Sequence, residues 1–100
     1  MILTHGRLTF PAAHHDTGRQ MLQGLAAQTR TEPGCLLYLV SENLDVPGQF
    51  FITEQWDSMT GMQTHLALPG VGEAVAAVQG MGVNDLSITA WEAGAATQIM

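Results

Sequence analysis

The alternation of apolar and polar positions divides the chain into six or seven elements. Ile2 to Phe10 is apolar and β-branched enough for a strand, and Pro11 closes it. From His14 to Arg30 the period changes: Met21, Leu22, Leu25, Ala26 and Thr29 recur at helical spacing and predict a helix with one buried face. Gly18 and Gly24 interrupt it, each costing about 1 kcal/mol relative to alanine, so packing rather than propensity must hold this helix. The breaker Glu32-Pro33-Gly34 is followed by CLLYLVSENL, a second strand. DVPGQ at 45–49 is a turn, and FFITEQW runs back as a third strand, giving an antiparallel hairpin. Ser58 is placed to cap a short helix holding Met59, Met62 and Leu66. Pro69 opens another helix, in which Val71, Val75 and Val78 share a face and which Gly80 and Gly82 end. A last strand is predicted over Asn84 to Glu92, with Leu86, Ile88 and Ala90 alternating against Ser87, Thr89 and Trp91.

The order β-α-β-β-α-(α)-β defines an α+β, ferredoxin-like split βαβ fold: one antiparallel sheet with helices on one face. Strand periodicity then sorts the side chains. Phe50, Ile52 and Trp56 share one face of the third strand and Phe51, Thr53 and Gln55 the other, while Leu37 and Leu39 oppose Tyr38 and Val40. Both faces are thus too apolar for water. A homodimer packed sheet against sheet is the expected cover for the face that the helices leave open.

Composition narrows the partners. One hundred residues suit a single domain spanning 1–100, with a modest core. Nine acids face three arginines and no lysine, which argues against nucleic acid and against a polybasic membrane contact. No apolar run approaches the roughly 18–20 residues of a membrane span, and MILTHGRLTF lacks the features of a secretory signal. Cys35 is the sole cysteine, so no internal disulfide forms. The cytoplasm is the expected compartment.

The succession EPGCLLYLV, a short turn, FFITEQW and DSMTGMQTHLALPGV resembles the antibiotic biosynthesis monooxygenase domain, a dimeric α+β barrel. The family pattern is a Glu-Pro-Gly turn into strand two, a third strand ending in Glu-x-Trp, then His-Leu and, after two further residues, Pro. Here these are Glu32-Pro33-Gly34, Glu54-Gln55-Trp56, His65-Leu66 and Pro69. The resemblance implies a choice of activities. Some relatives oxidise quinols or polycyclic anthrones with O2 and without flavin, metal or haem. One branch binds and degrades haem, and another relative processes a small signalling metabolite as an isomerase would. The haem branch is disfavoured: its strand-one Asn falls at Gly6, its ring-distorting Trp at His65 and its axial His near Val75. The expected cofactor is none.

The leading expectation is therefore a cofactor-independent monooxygenase acting on a small quinol or hydroxylated polycyclic aromatic. Its alternatives are a non-catalytic dimer that binds a small apolar metabolite, or an isomerase. In the leading reading His65 is the base, because imidazole takes a proton near neutral pH; the competing reading is a structural hydrogen bond. Glu54, two residues before Trp56 and on the same face, orients His65 or joins a dimer ion pair. Trp56, Tyr38 and Phe50 are expected to wall the cavity, with Met62 and Leu66 as its cover; Trp56 reads foremost as a core residue at a strand end, which can also line a pocket. His14-His15 lacks the spacing of a metal pair, so no metal is expected.

Overall fold

The computed structural model describes residues 1–100. Its elements are β1 (Ile2–Thr9), a 3₁₀ turn (Ala12–His14), α1 (His15–Thr29), β2 (Cys35–Glu42), β3 (Gln49–Trp56), α2 (Met59–Leu66), α3 (Pro69–Gly80) and β4 (Ser87–Glu92). The strands form one antiparallel sheet in the order β2-β3-β1-β4, the ferredoxin-like arrangement that the element order predicts.

Strand alternation decides what faces the helices. In β3 the residues Phe50, Ile52, Glu54 and Trp56 are buried, and every residue between them is half-buried. β1 contributes Ile2, Thr4, Gly6 and Leu8 to the same side, and β2 contributes Tyr38. Two apolar clusters result. The larger joins Leu8, Phe10, Leu22, Ala26, Tyr38, Phe50, Ile52, Val78 and Val83; the smaller joins Ile2, Trp56 and Met62.

Helix α1 buries Gly18, Leu22, Ala26 and Thr29. Gly18 is required by packing, since a Cβ there would come within 2.6 Å of the Phe10 ring. Gly24 has no such reason: nothing lies within 4 Å of the place a Cβ would take. At the end of α1 the Arg30 Nε donates to the Tyr38 carbonyl at 2.9 Å, tying the helix to β2. His15 donates from its ring nitrogen to the Phe10 carbonyl at 3.1 Å, so one of the paired histidines fastens the start of α1 to the end of β1.

The last strand is shorter than its sequence pattern suggests. Val83 still bonds back to the Val78 carbonyl at 3.1 Å, and Asp85 accepts from the Thr9 backbone N–H at 2.8 Å and the Thr9 hydroxyl at 2.7 Å. The Asp85 carboxylate thus takes the end of β1 that a strand would have paired, and pairing begins only at Ser87, opposite Arg7. β4 is an edge strand exposed along its whole length. No helix is long and apolar enough to cross a membrane.

Candidate functional site

The turn Glu32-Pro33-Gly34 and the helix α2 are far apart in sequence and meet over the end of β3. Gly34 has φ +84°, in the left-handed region, and its Cα faces the Asp57 carboxylate so closely that a Cβ would fall 2.6 Å from Oδ1. The Asp57 N–H donates to the Gly34 carbonyl at 2.9 Å, which clamps the turn against the end of β3. Ser58 caps α2 as the sequence predicts, accepting from the Gly61 N–H at 3.1 Å. These two local structures bring Glu32 and His65 together.

His65 is 4% exposed, and its Nδ1 lies 2.8 Å from Glu32 Oε1. A carboxylate only accepts, so Nδ1 donates the proton of this hydrogen bond, and Nε2 is the nitrogen left to carry the lone pair whenever the ring is neutral. The ring stacks on Trp56, centroids 5.1 Å apart at 29°, and meets the edge of Tyr38 at 6.0 Å. Glu32 therefore holds the position expected of Glu54. The Glu54 carboxylate accepts instead from the Trp56 indole N–H at 2.9 Å. The i,i+2 relation that puts both side chains on one face also puts the indole nitrogen beside the carboxylate, which corrects the expectation that Glu54 orients His65.

Glu54 is 4% exposed. Burial raises its carboxyl above the ordinary 4.5, against the opposing effects of the Trp56 hydrogen bond and nearby His65. Burial likewise raises the Tyr38 phenol, and the neighbouring Glu54 adds to the effect. The half-buried Cys35 thiol is raised by burial and then by Glu32, which leaves it a poor nucleophile.

Between the sheet and helices α1, α2 and α3 lies an apolar cavity of about 60 Å³. Glu54, His65 and Tyr38 bring polar atoms to its wall, and Leu8, Leu22, Ile52, Val75, Val78 and Ile88 are among the apolar remainder. No buried side-chain nitrogen or oxygen lacks a hydrogen-bond partner, yet neither His65 Nε2 nor the second Glu54 oxygen has one within the protein. Both atoms therefore keep some exposed surface, and both residues line the cavity. The arrangement is a proton acceptor and a buried carboxyl facing a mostly apolar chamber.

Of the expected site residues, His65, Glu54, Tyr38 and Leu66 line this cavity, Leu66 at its rim with 45% exposure. Trp56, Phe50 and Met62 do not, and their places in the expected walls and cover are corrected. Trp56 lies behind His65 and is wholly buried. Phe50 belongs to the core, edge-on to Phe10 at 5.9 Å. Met62 turns toward Ile2 and Trp56, and its sulfur accepts from the Thr4 hydroxyl at 3.4 Å. Each lies on the predicted side of its element, but further along it than the cavity reaches.

Glu32 was not among the residues that sequence reasoning assigned to the site. The available signal was its membership of the same motif set as His65, two pieces separated by 33 positions that nothing local links. Val75, where the resemblance would set an axial ligand for haem, offers the cavity only an isopropyl group. With about 60 Å³ of space as well, the residues present do not fit that group. No three His, Cys, Asp or Glu side chains converge as metal ligands would.

A buried imidazole anchored by a carboxylate thus lies beside an apolar cavity between a ferredoxin-like sheet and its helices. The model of the antibiotic biosynthesis monooxygenase family matches residues 1–77, and the chain belongs to that family. It is similar over its full length to a candidate antibiotic biosynthesis monooxygenase from Deinococcus radiodurans: 54% identical, TM-score 0.98, with 100% of this chain and 99% of that one covered. A similarly described protein from Chloroflexus aurantiacus is 25% identical with TM-score 0.76, covering 99% and 98% of the two chains. A Mycobacterium tuberculosis protein shares the fold at 20% identity and TM-score 0.86, covering 97% and 98%. No curated protein sequence matches the chain.

Proposed function

We propose that the protein is a cofactor-independent monooxygenase that oxidises a quinol or hydroxylated aromatic with O2 in the cavity under α2 and α3. The observation that carries this reading is the His65 ring, held at Nδ1 by Glu32 and lining, together with Glu54, a mostly apolar cavity. Closed-shell aromatics react slowly with O2 until they become electron-rich anions. His65 Nε2 takes the phenolic proton, and the resulting anion passes one electron to O2. The radical pair combines to form a C–O bond, and protonation of the distal oxygen gives a hydroperoxide. Loss of the remaining hydrogen at that carbon as a proton, with cleavage of the O–O bond, yields a carbonyl and one water. Both atoms of O2 and all electrons are then accounted for without an external reductant.

Glu54 is the proposed proton donor to the departing oxygen, since burial keeps its carboxyl protonated to higher pH than an exposed one. Tyr38, its phenol held neutral by burial, is a hydrogen-bond donor to the substrate anion. Apolar walls strengthen each of these interactions by keeping water away. The test is oxygen uptake on a panel of quinols and anthrones. Wild-type protein consumes O2 and His65→Ala does not; equal uptake by both removes the base role, and none by either removes the oxygenase reading.

We propose further that two copies pack through the sheet face opposite the helices. That face carries half-buried Leu3, Leu37 and Phe51, with Leu39 48% and Trp91 54% exposed, and His5 stacked on Phe51. This much apolar surface on a small chain favours self-association. Sedimentation equilibrium gives the mass of a dimer for the wild type and of a monomer for Leu39→Glu with Phe51→Glu. A monomeric wild type overturns the proposal.

A further inference from the structure

The cavity at His65 is too small for the ligand its chemistry suits. A dry apolar cavity of roughly 150 Å³ accommodates a single benzene, whereas this one measures about 60 Å³. An aromatic must therefore open it or extend out of it. Beside it, an open groove of about 570 Å³ runs between α1 and α3. Met21, Leu25, Val71 and Ala74 line both spaces, so the groove and the cavity adjoin across these four side chains, which a ligand spanning both must part.

The groove is kept wide by glycines that the fold does not require. Gly24 on α1 and Gly70 on α3 stand on its opposite walls, and at neither would a Cβ meet any atom within 4 Å. Neither has positive φ. Gly24 carries the cost of a mid-helix glycine with no return in packing or backbone geometry. What its missing side chain does is leave the groove open. The groove adjoins the cavity that His65 and Glu54 line, two side chains each 4% exposed whose Nε2 and second carboxyl oxygen have no hydrogen-bond partner within the protein. Its charge is one-signed: Glu32 and Glu73 line it, and no arginine, lysine or histidine does.

We propose that this groove is a second subsite, which holds an uncharged extension of a ligand whose hydroxylated aromatic end enters the cavity at His65. The inference rests on the reading of the cavity as an aromatic site, and it deepens that reading by naming the ligand class. The ligand is a hydroxyarene with an apolar or neutral polar substituent, and a carboxylate or phosphate on that substituent is disfavoured by the two glutamates. The wall of Leu25, Leu68, Pro69 and Ala77 covers the apolar part of such a substituent.

The test measures binding rather than turnover, by calorimetric titration of the full chain with three probes: 1-naphthol, 4-hexyloxy-1-naphthol and the same ether ending in a carboxylate. The hexyl ether binds wild-type protein roughly tenfold or more tightly than 1-naphthol, because burying several methylenes contributes that much. Gly24→Leu, and separately Ala77→Leu from the other wall, remove the advantage of the ether and leave 1-naphthol binding unchanged; a circular-dichroism melt verifies that each variant is folded. The carboxylate probe binds more weakly than the hexyl ether, and Glu73→Gln narrows that gap. A hexyl ether no tighter than 1-naphthol overturns the proposal, as does an advantage that survives both leucine variants. Absence of binding by any probe overturns the aromatic site itself. Tight binding without oxygen uptake leaves the subsite standing and removes only the oxygenase reading.

Discussion

The two longer helices that run over the sheet, α1 and α3, are packed very differently. Helix α1 buries four residues, places Gly18 against the Phe10 ring and ties its end to the Tyr38 carbonyl. Helix α3 buries Val78 alone; Val71 and Val75 are half-buried and face the cavity. The strands under them repeat the contrast. β3 lies inside the sheet with alternate residues buried, whereas β4 is exposed at every position. One side of the molecule is a finished core, and the other retains space. Dense packing supplies stability but leaves no room for a ligand, so a chain of this size confines its site to the side where packing is incomplete.

The sharpest test of that division is chemical. Replacing His65 by alanine lowers oxygen uptake by about 10²–10⁴-fold, the usual contribution of a general base, while Glu32→Gln gives a smaller loss that Glu32→Asp partly restores. An unaltered rate for His65→Ala would place the chemistry elsewhere. Next in size is the difference in packing. Phe10→Ala, in the finished core against Gly18 of α1, lowers stability to urea by about 3–5 kcal/mol, and Val75→Ala, against existing space, by less than about 1 kcal/mol. Equal costs would show that α3 is as firmly seated as α1.

Glu54 gives a pH-dependent comparison. Its folded-state pKa lies above the ordinary 4.5, so its contribution to stability is greatest below that pH and declines as pH rises through the folded value. Glu54→Gln lacks this decline. The stability of the glutamine variant relative to wild type therefore increases from pH 4 to pH 8, as read from urea midpoints; a constant difference would mean that the carboxyl titrates as it does in the unfolded chain. The smallest effect belongs to Gly24→Ala, which fills open space and stabilises α1 by about 0.5–1 kcal/mol. A loss of stability there would reveal a constraint at Gly24 that its surroundings do not display.

Most of the fold was legible because each element announces itself locally. The period of two along Phe50 to Trp56, the helical spacing of Leu22, Ala26 and Thr29, and the Ser58 cap all act within a few residues. The start of β4 was less legible, since only the position of Thr9 in space lets Asp85 take the hydrogen bonds that would have begun the strand earlier. The site was legible in part. Sequence reasoning selected His65, Glu54, Tyr38 and Leu66, which the fold brings to one cavity, together with Trp56, Phe50 and Met62, which lie beyond it.

By itself, then, the sequence determines which side chains face the helices, because strand and helix periods are properties of neighbouring residues. It also carries the motif set that places the chain in its family. Only the tertiary structure decides which carboxylate serves His65. Glu54 is nearer in sequence and on the expected face, but its oxygen is taken by the Trp56 N–H, and Glu32 arrives from the turn after α1 at 2.8 Å. Hydrogen bonds are settled by distance and direction in space, and a period along the chain specifies neither between elements.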